Sequence, residues 1–501
     1  MTRGILLATA ASLVSAAAAQ AAELPTKAKP VQYVKICPLY GDGYYYIPGT
    51  QTCIRVGGKI QEDVAWNANG GRNPNYSGAN GAQDRTNLEL STRGRADFAM
   101  DARSQTSYGV LRSAALMHFQ NQDQAESFNT ARAFIQWAGW TFGRIRSYQD
   151  TFSLNDSWTL ETAQTNSDTA ANGVQSIAYT FDLGGGATLD FGADDRRTKP
   201  LINLSSAAAL KVGAEGTDSH QAQTWPDFYG ALHIDETWGF AAFSAGVHNV
   251  NTSYYAGSGI AGGPFASFVS CPAAQANTSQ CGHPADKIGY FAQLGGEYKI
   301  PRAGGDKIGA GVRYSVGATG FGSGGSLSSP ALFGAGNNAA IGFTSDGVFV
   351  NGSGIELTTS WTAQAGYDHF WMPTLDTDIE AGYAQVIYNT QAQSYFAGAL
   401  CGAAGTGATK QTQFQVTPGT NNCNPNWAYI EVGSKTTWRP FPDLAISGQI
   451  LYVNIWSGFN GPGTILTAPV AAARPTGGYT FGNQGIWTGY FRIARTYNAL
   501  E

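Results

Sequence analysis

The chain has 501 residues, of which only 13% are charged, about half the share usual in a soluble globular domain. Its 64 glycines and 12% aromatics accompany a mean hydropathy of −0.19, which suits a chain apolar on one face and polar on the other. A net charge of −5 supplies no polycationic surface and argues against a nucleic-acid partner.

Residues 1–21 read as an export signal. Arg3 gives a positive start, Gly4 to Ala19 form an apolar stretch, and Ala19-Gln20-Ala21 is a small-residue site with cleavage expected before Ala22. That stretch is too short and too rich in alanine to anchor a membrane protein. No later run of 18 apolar residues exists, so a membrane-embedded mature chain crosses as strands, because only helices and closed barrels satisfy their backbone in lipid. Residues 22–52 then read as a periplasmic N-terminal segment. The cysteines fall into three local pairs, Cys37 with Cys53, Cys271 with Cys281 and Cys401 with Cys423, and export to an oxidising compartment makes disulfides of them. The absence of C-x-x-C spacing and a total of 6 histidines argue against a zinc site, and no metal or cofactor is expected.

From Cys53 to Tyr497 the signal is a rhythm of alternating segments. Between Cys53 and Trp66, Arg55, Lys59, Gln61 and Asp63 share one face, and Ile54, Val56, Ile60, Val64 and Trp66 the other. Between Asn87 and Arg103, Glu89, Ser91, Arg93, Arg95, Asp97, Asp101 and Arg103 alternate with Leu88, Leu90, Ala96, Phe98, Met100 and Ala102. A helix would mix these classes on every face. Tight turns are predicted near 101–106, 138–139, 183–186, 235–239, 301–305, 372–374 and 439–443, where Gly, Pro and Asp cluster. Between the pairs they make, longer polar segments are predicted at about 67–84, 121–128, 147–173, 196–221, 251–285, 317–354, 390–426 and 457–485. The fold expected is all-β: a 16-stranded antiparallel transmembrane barrel over 53–497 with short periplasmic turns and long external loops. Every strand except the short fifth, 140–146, is long enough to cross a bilayer. Trp66, Trp137, Trp140, Trp238, Trp371, Trp427, Trp438, Trp456 and Trp487 sit at or near strand ends, where aromatic girdles belong.

Certain words in the chain resemble alphaproteobacterial general porins. They are Glu23-Leu24-Pro25 through Val34-Lys35-Ile36-Cys37, the run from Tyr40-Gly41-Asp42-Gly43 to Cys53-Ile54-Arg55-Val56, Trp140-Thr141-Phe142-Gly143-Arg144, and Tyr490-Phe491-Arg492-Ile493-Ala494-Arg495-Thr496-Tyr497. The resemblance implies a homotrimeric barrel in outer-membrane lipid whose third loop folds into the lumen. Such porins stop at a terminal aromatic, whereas here the extension 498–501 follows Tyr497.

A pore needs a constriction with a field. Loop 147–173 carries Asp150, Asp156, Glu161 and Asp168 and no Lys or Arg, while Arg55, Lys59, Arg93, Arg95, Arg112 and Arg132 are expected on the lumen wall. Acids on an inserted loop facing basic residues on the wall would set up a transverse field that orients solutes and tunes ion preference. The plainer alternative is that the arginines pair with Glu89, Asp97 and Asp101. Arg144 and Arg146 depend on whether Gly143 shifts the strand phase. The function expected is passive diffusion of small hydrophilic solutes and ions through a water-filled channel, the alternative being a substrate-specific channel for a sugar or an anion. A barrel enzyme is disfavoured, because His118, His220, His233, His248, His283 and His369 are scattered and form no Ser–His or Asp–His constellation in the sequence. A soluble secreted β-protein is disfavoured by the apolar rows.

Overall fold

The computed structural model describes residues 35–67, 90–154, 158–162, 169–195, 201–205, 224–255, 273–276, 278–301, 305–323, 331–334, 336–401, 414–417, 422–465 and 477–498. The expected export signal, residues 1–21, and residues 499–501 lie outside them.

Sixteen strands form the wall. They are β1 (Cys53–Trp66), β2 (Leu90–Thr106), β3 (Gly109–Gln122), β4 (Ala125–Trp137), β5 (Trp140–Ile145), β6 (Val174–Gly184), β7 (Ala187–Asp194) and β8 (Asp227–Glu236), followed by β9 (Gly239–Val250), β10 (Lys287–Lys299), β11 (Lys307–Val316), β12 (Thr359–Met372), β13 (Leu375–Ile387), β14 (Trp427–Phe441), β15 (Leu444–Trp456) and β16 (Gln484–Tyr497). Each pairs antiparallel with its sequence neighbours, and β16 returns to β1 with Gly58 opposite Tyr497 and Trp66 opposite Gly489. Closure leaves no edge, which is what lipid demands of a sheet.

The period-2 pattern decides which face is which. Gln61, Asp63, Asp97 and Asp101 are buried on the inner face, while Ile60, Trp66, Leu90 and Phe98 stand exposed on the outer one. Outward Phe191, Phe243, Leu294, Val312, Ile379 and Ile450 continue the apolar belt around the barrel. Trp66, Trp137, Trp140, Trp238, Trp371, Trp438, Trp456 and Trp487 are exposed near strand ends, as a girdle requires.

Four expectations need correction. The segment 121–128 is no long loop: β3 and β4 are joined by Asp123 and Gln124 alone, both in the left-handed region at φ 51° and 70°. Two such residues make the turn that matches strand twist, and Asp123 secures it by accepting from Thr92 N at 2.8 Å and Ser91 Oγ at 2.6 Å. The turn placed at 101–106 falls instead at Ser107 and Tyr108, because β2 continues through Thr106. The strand β7, of 8 residues, joins β5, of 6, as a short crossing. Trp427 is buried away from any girdle and donates through Nε1 to Phe343 O at 2.7 Å.

That contact belongs to an external cap. Segments between β11 and β12, β13 and β14, and β15 and β16 form a five-stranded sheet, and the helix Thr390–Leu400 packs with them around Ile341, Phe343, Phe396, Leu400, Phe459 and Phe481. Asn389 caps that helix by accepting from Ala392 N at 2.8 Å. Asn338 pairs with Thr480 beside β16, and Val348 pairs with Ile202 between β7 and β8. Those anchor points lie half the barrel apart, so this strap spans the external end.

The disulfide Cys37–Cys53 ties the N-terminal segment to β1 at a Cα separation of 6.1 Å, and Cys401–Cys423 ties the cap at 6.2 Å. Cys281 is disulfide-bonded, and Cys271 lies outside the described residues.

Candidate pore constriction

The third loop leaves β5 at Ile145 and runs along the inside of the wall. Ser147 donates to Asp194 of β7 at 2.5 Å, the Tyr148 carbonyl meets His233 Nε2 of β8 at 2.7 Å, and Ser244 of β9 donates to the Gln149 carbonyl at 2.6 Å. Arg313 of β11 then donates to the Phe152 carbonyl at 2.6 Å. Further on, Gln449 of β15 accepts from Leu160 N at 2.7 Å and Glu161 N at 3.0 Å, and donates to the Glu161 carbonyl at 2.8 Å. Thr162 donates to Glu431 of β14. All these wall residues face inward, so the loop occupies the lumen.

Glycines make the seat. Phe152 and Trp158 are buried against Gly295, Gly309, Gly311 and Gly366. A Cβ at Gly366 would come within 2.6 Å of Trp158, and one at Gly295 within 2.6 Å of Phe152. Side chains there would hold the loop off the wall. Lys307 Nζ lies 4.6 Å from the centre of the Trp158 ring, a cation–π contact.

The expected acids divide. Glu161 reaches basic residues across the barrel, with Oε1 3.8 Å from Arg93 and 3.3 Å from Arg492. Asp150 turns into the base of the loop, accepts from Gln149 Nε2 at 2.8 Å and from Thr169 Oγ1, and lies 3.9 Å from Arg146. Asp156 and Asp168 lie outside the described residues.

The expected basic residues line one sector of the inner wall, threaded with acids. Arg93 grips Asp63 at 2.9 Å, and Arg492 of β16 grips the same carboxylate at 2.5 Å. Arg95 and Lys59 share Asp97 at 2.5 and 3.5 Å, and His118 Nδ1 meets it at 2.7 Å. Arg112 and Arg103 share Asp101 at 2.8 and 2.9 Å. Asp97 and Asp101 are thus the partners named by the plainer pairing alternative, while Glu89 lies outside the described residues. Arg132 donates to the Ala131 carbonyl at 2.8 Å, next to a bulge in the β3–β4 ladder. Gly143 takes φ 122°, and Arg144 Nε donates to the Asn172 carbonyl at 2.6 Å, clamping the loop's end. Arg55 stands at the periplasmic mouth, 5.9 Å from the Tyr44 ring, which Arg103 approaches to 5.2 Å. Burial, then the neighbouring Asp101 carboxylate, push the Tyr44 hydroxyl above its ordinary pKa.

A second sector is acidic. Asp368 on β12, Asp376, Asp378 and Glu380 on β13 and Glu431 on β14 are buried on the inner face, with Lys435 and Arg439 among them. Arg492, Gln449, Arg313 and the glycine seat were not singled out from the sequence. Their inward phase was readable in each strand, but only tertiary closure brings them to the third loop.

A closed antiparallel sheet with an apolar outer belt, a charged interior and a loop folded inside defines a transmembrane β-barrel of the outer-membrane class. The chain belongs to the porin subfamily, whose family model matches residues 23–490, and is accordingly a multi-pass outer-membrane protein. A stretch covering 48% of this chain is 30% identical to porin Omp2b of Brucella suis over 258 residues and 64% of that protein. Porin Omp2b of Brucella abortus strain 2308 matches at 30% over 262 residues, again covering 64% of its length. The match thus spans less than two thirds of these relatives. The outer membrane channel DcaP of Acinetobacter baumannii shares the fold, with a TM-score of 0.55 at 12% identity over 90% of this chain and 99% of that one.

Proposed function

We propose that the protein is a water-filled outer-membrane channel for passive diffusion of small hydrophilic solutes and ions. The observation that carries this reading is the third loop inside a charged lumen, with Glu161 within 3.8 Å of Arg93 and 3.3 Å of Arg492. A loop held there narrows the pore beside a basic wall, and the surplus of arginine over acid in that sector favours anions. In this reading Arg93, Arg95 and Arg492 with Glu161 form the constriction, and Lys59, Arg112 and Arg132 extend its field. Arg55 serves the periplasmic mouth. Residues 1–21 are removed on export, and 22–52 stay periplasmic. The barrel works as a homotrimer in outer-membrane lipid and is not an enzyme.

Planar-bilayer recording of the purified protein tests this. The expected result is stable ohmic openings that do not saturate with solute, closures in threes, and a reversal potential on the anion side. Absence of conductance refutes the channel. The strap across the external end supports a second reading, a substrate-specific channel, which conductance inhibited saturably by one sugar or anion would establish.

A further inference from the structure

The acidic sector contains a group of side chains that the constriction does not use. Asp368 on β12 is in register with Asp378 on β13, and Asp376 lies one inward position along β13 from Asp378. All three are buried, at 4%, 1% and 1% exposure, and their ligating oxygens lie within 4.8 Å of one another. Two are matched by cations: Arg439 binds Asp376, and Lys435 Nζ is 2.9 Å from Asp378 Oδ2. Asp368 Oδ1 is buried and has no hydrogen-bond partner among the described residues. Glu380, the next inward residue of β13, presents another such oxygen, Oε2. Lys307 faces Asp368 in the ladder and also pairs with Glu297 at 3.2 Å, so the cations around the group are shared among more carboxylates than they can match, and the buried negative charge is only partly offset.

We propose that Asp368, Asp376 and Asp378 form a divalent-cation site on the inner wall, and that the ion it takes is Ca2+. The donors are carboxylate oxygens only, with no thiolate or imidazole in the group, which selects a hard cation over zinc or copper. Calcium binds oxygen at about 2.3–2.6 Å, so oxygens on opposite sides of one ion stand roughly 4.6–5.2 Å apart, whereas magnesium brings them to about 4.0–4.2 Å in a strict octahedron. Three carboxylate oxygens gathered within 4.8 Å of one another on two strands suit calcium, whose coordination geometry is flexible, better than magnesium's strict octahedron. Asp368 supplies the uncommitted oxygen, and the ion competes with Lys435 for Asp378. Bound at this place, it would neutralise part of the acidic sector and bias the pore further toward anions. The site depends on the inward face of β12 and β13 alone, so it stands or falls separately from the mode of solute passage.

The test is calorimetric titration of CaCl2, and separately MgCl2, into chelator-treated full-length protein in detergent. The result expected is one saturable Ca2+ event per chain, with weaker Mg2+ binding, abolished in Asp368→Asn and retained in Asp443→Asn at the periplasmic rim. The heat-modifiable gel mobility of a closed barrel verifies folding. No saturable Ca2+ uptake by the wild type, or undiminished uptake by folded Asp368→Asn, overturns the proposal. Should Asp368→Asn not fold, Tb3+ luminescence decides on barrels that do. Emission displaced by Ca2+ is expected, and it should drop sharply in Trp158→Phe, since Trp158 stacks on Lys307, the register partner of Asp368. Emission unchanged in Trp158→Phe puts the ion elsewhere and overturns the site.

Discussion

On β1, β2 and β16 each inward carboxylate is clasped by more than one cation: Asp63 by Arg93 and Arg492, Asp97 by Arg95 and Lys59, Asp101 by Arg103 and Arg112. On β12, β13 and β14 the proportion reverses. Lys435 and Arg439 stand among Asp368, Asp376, Asp378, Glu380 and Glu431, and buried carboxylate oxygens of Asp368 and Glu380 lack a hydrogen-bond partner among the described residues. The difference teaches that pairing and field are not rivals. Arginines can be fixed by aspartates in a ladder and still leave positive charge facing the lumen. The third loop connects the two sectors, since Glu161 answers Arg93 and Arg492 while its neighbour Thr162 bonds Glu431. In the proposed pore the field therefore runs between these two parts of the wall as well as between Glu161 and the arginines.

Removing the basic surplus should break that contrast most. A unit charge about 10 Å from a passing monovalent ion in water changes its energy by roughly 0.4 kcal/mol. Neutralising two should then shift the cation-to-anion permeability ratio about sixteenfold at low salt, because the cation gains what the anion loses. Arg93→Gln with Arg95→Gln is expected to move the reversal potential that far toward cations, and an unmoved potential would remove both residues from the constriction. The loop's seat comes next. Trp158→Ala deletes a buried aromatic, at a cost of about 3–5 kcal/mol, and should raise both conductance and open-channel noise. Wild-type traces from that variant would mean that the glycine track does not hold the loop. Glu161→Gln removes one acid and should act in the opposite sense to the arginine pair, shifting the ratio roughly fourfold toward anions. A cation shift would reverse the sign assigned to the loop.

The smallest effect lies outside the membrane, at the turn before β11. Asp306 accepts from Tyr367 Oη at 2.7 Å, His369 Nδ1 at 3.0 Å and Phe370 N at 3.0 Å. The hydrogen bond with His369, followed by that from Tyr367, holds its pKa well below the usual aspartate range. A lowered folded pKa means stabilisation that is complete above the unfolded value, about 3.9, and is lost as pH falls through the lowered one. Protection of the Phe370 amide from exchange should therefore exceed that of Asp306→Asn near neutrality, and the gap should close in strong acid. A gap independent of pH would contradict the assignment.

The wall was legible because strand side chains alternate strictly, so Arg93, Arg95, Asp97 and Phe98 announce their faces two residues at a time. The cap was not. Its Gly, Asn and Ser-rich segments read as solvated loops, and Ile341, Phe343 and Phe459 follow no period because they meet only after three separate loops pack together. The two-residue turn at Asp123 and Gln124 is hidden for a related reason: neither residue is Gly or Asn, and the bonds that Asp123 accepts come from Ser91 and Thr92, about 30 residues earlier in the chain. Within the site, composition marked the loop as acidic but could not distinguish Glu161, which crosses to the arginines, from Asp150, which folds back on its own loop.

The central claim, that Glu161 projects from the third loop into the conducting path beside Arg93 and Arg492, is tested most directly by a single cysteine. Among the described residues no cysteine is free, so Glu161→Cys adds the thiol to be read. A cationic methanethiosulfonate applied during single-channel recording is expected to lower conductance in discrete steps and to move the reversal potential toward anions, and an anionic reagent to move it the other way. Conductance and selectivity that stay unchanged under both reagents, with modification verified by mass, would place Glu161 outside the path and contradict the account.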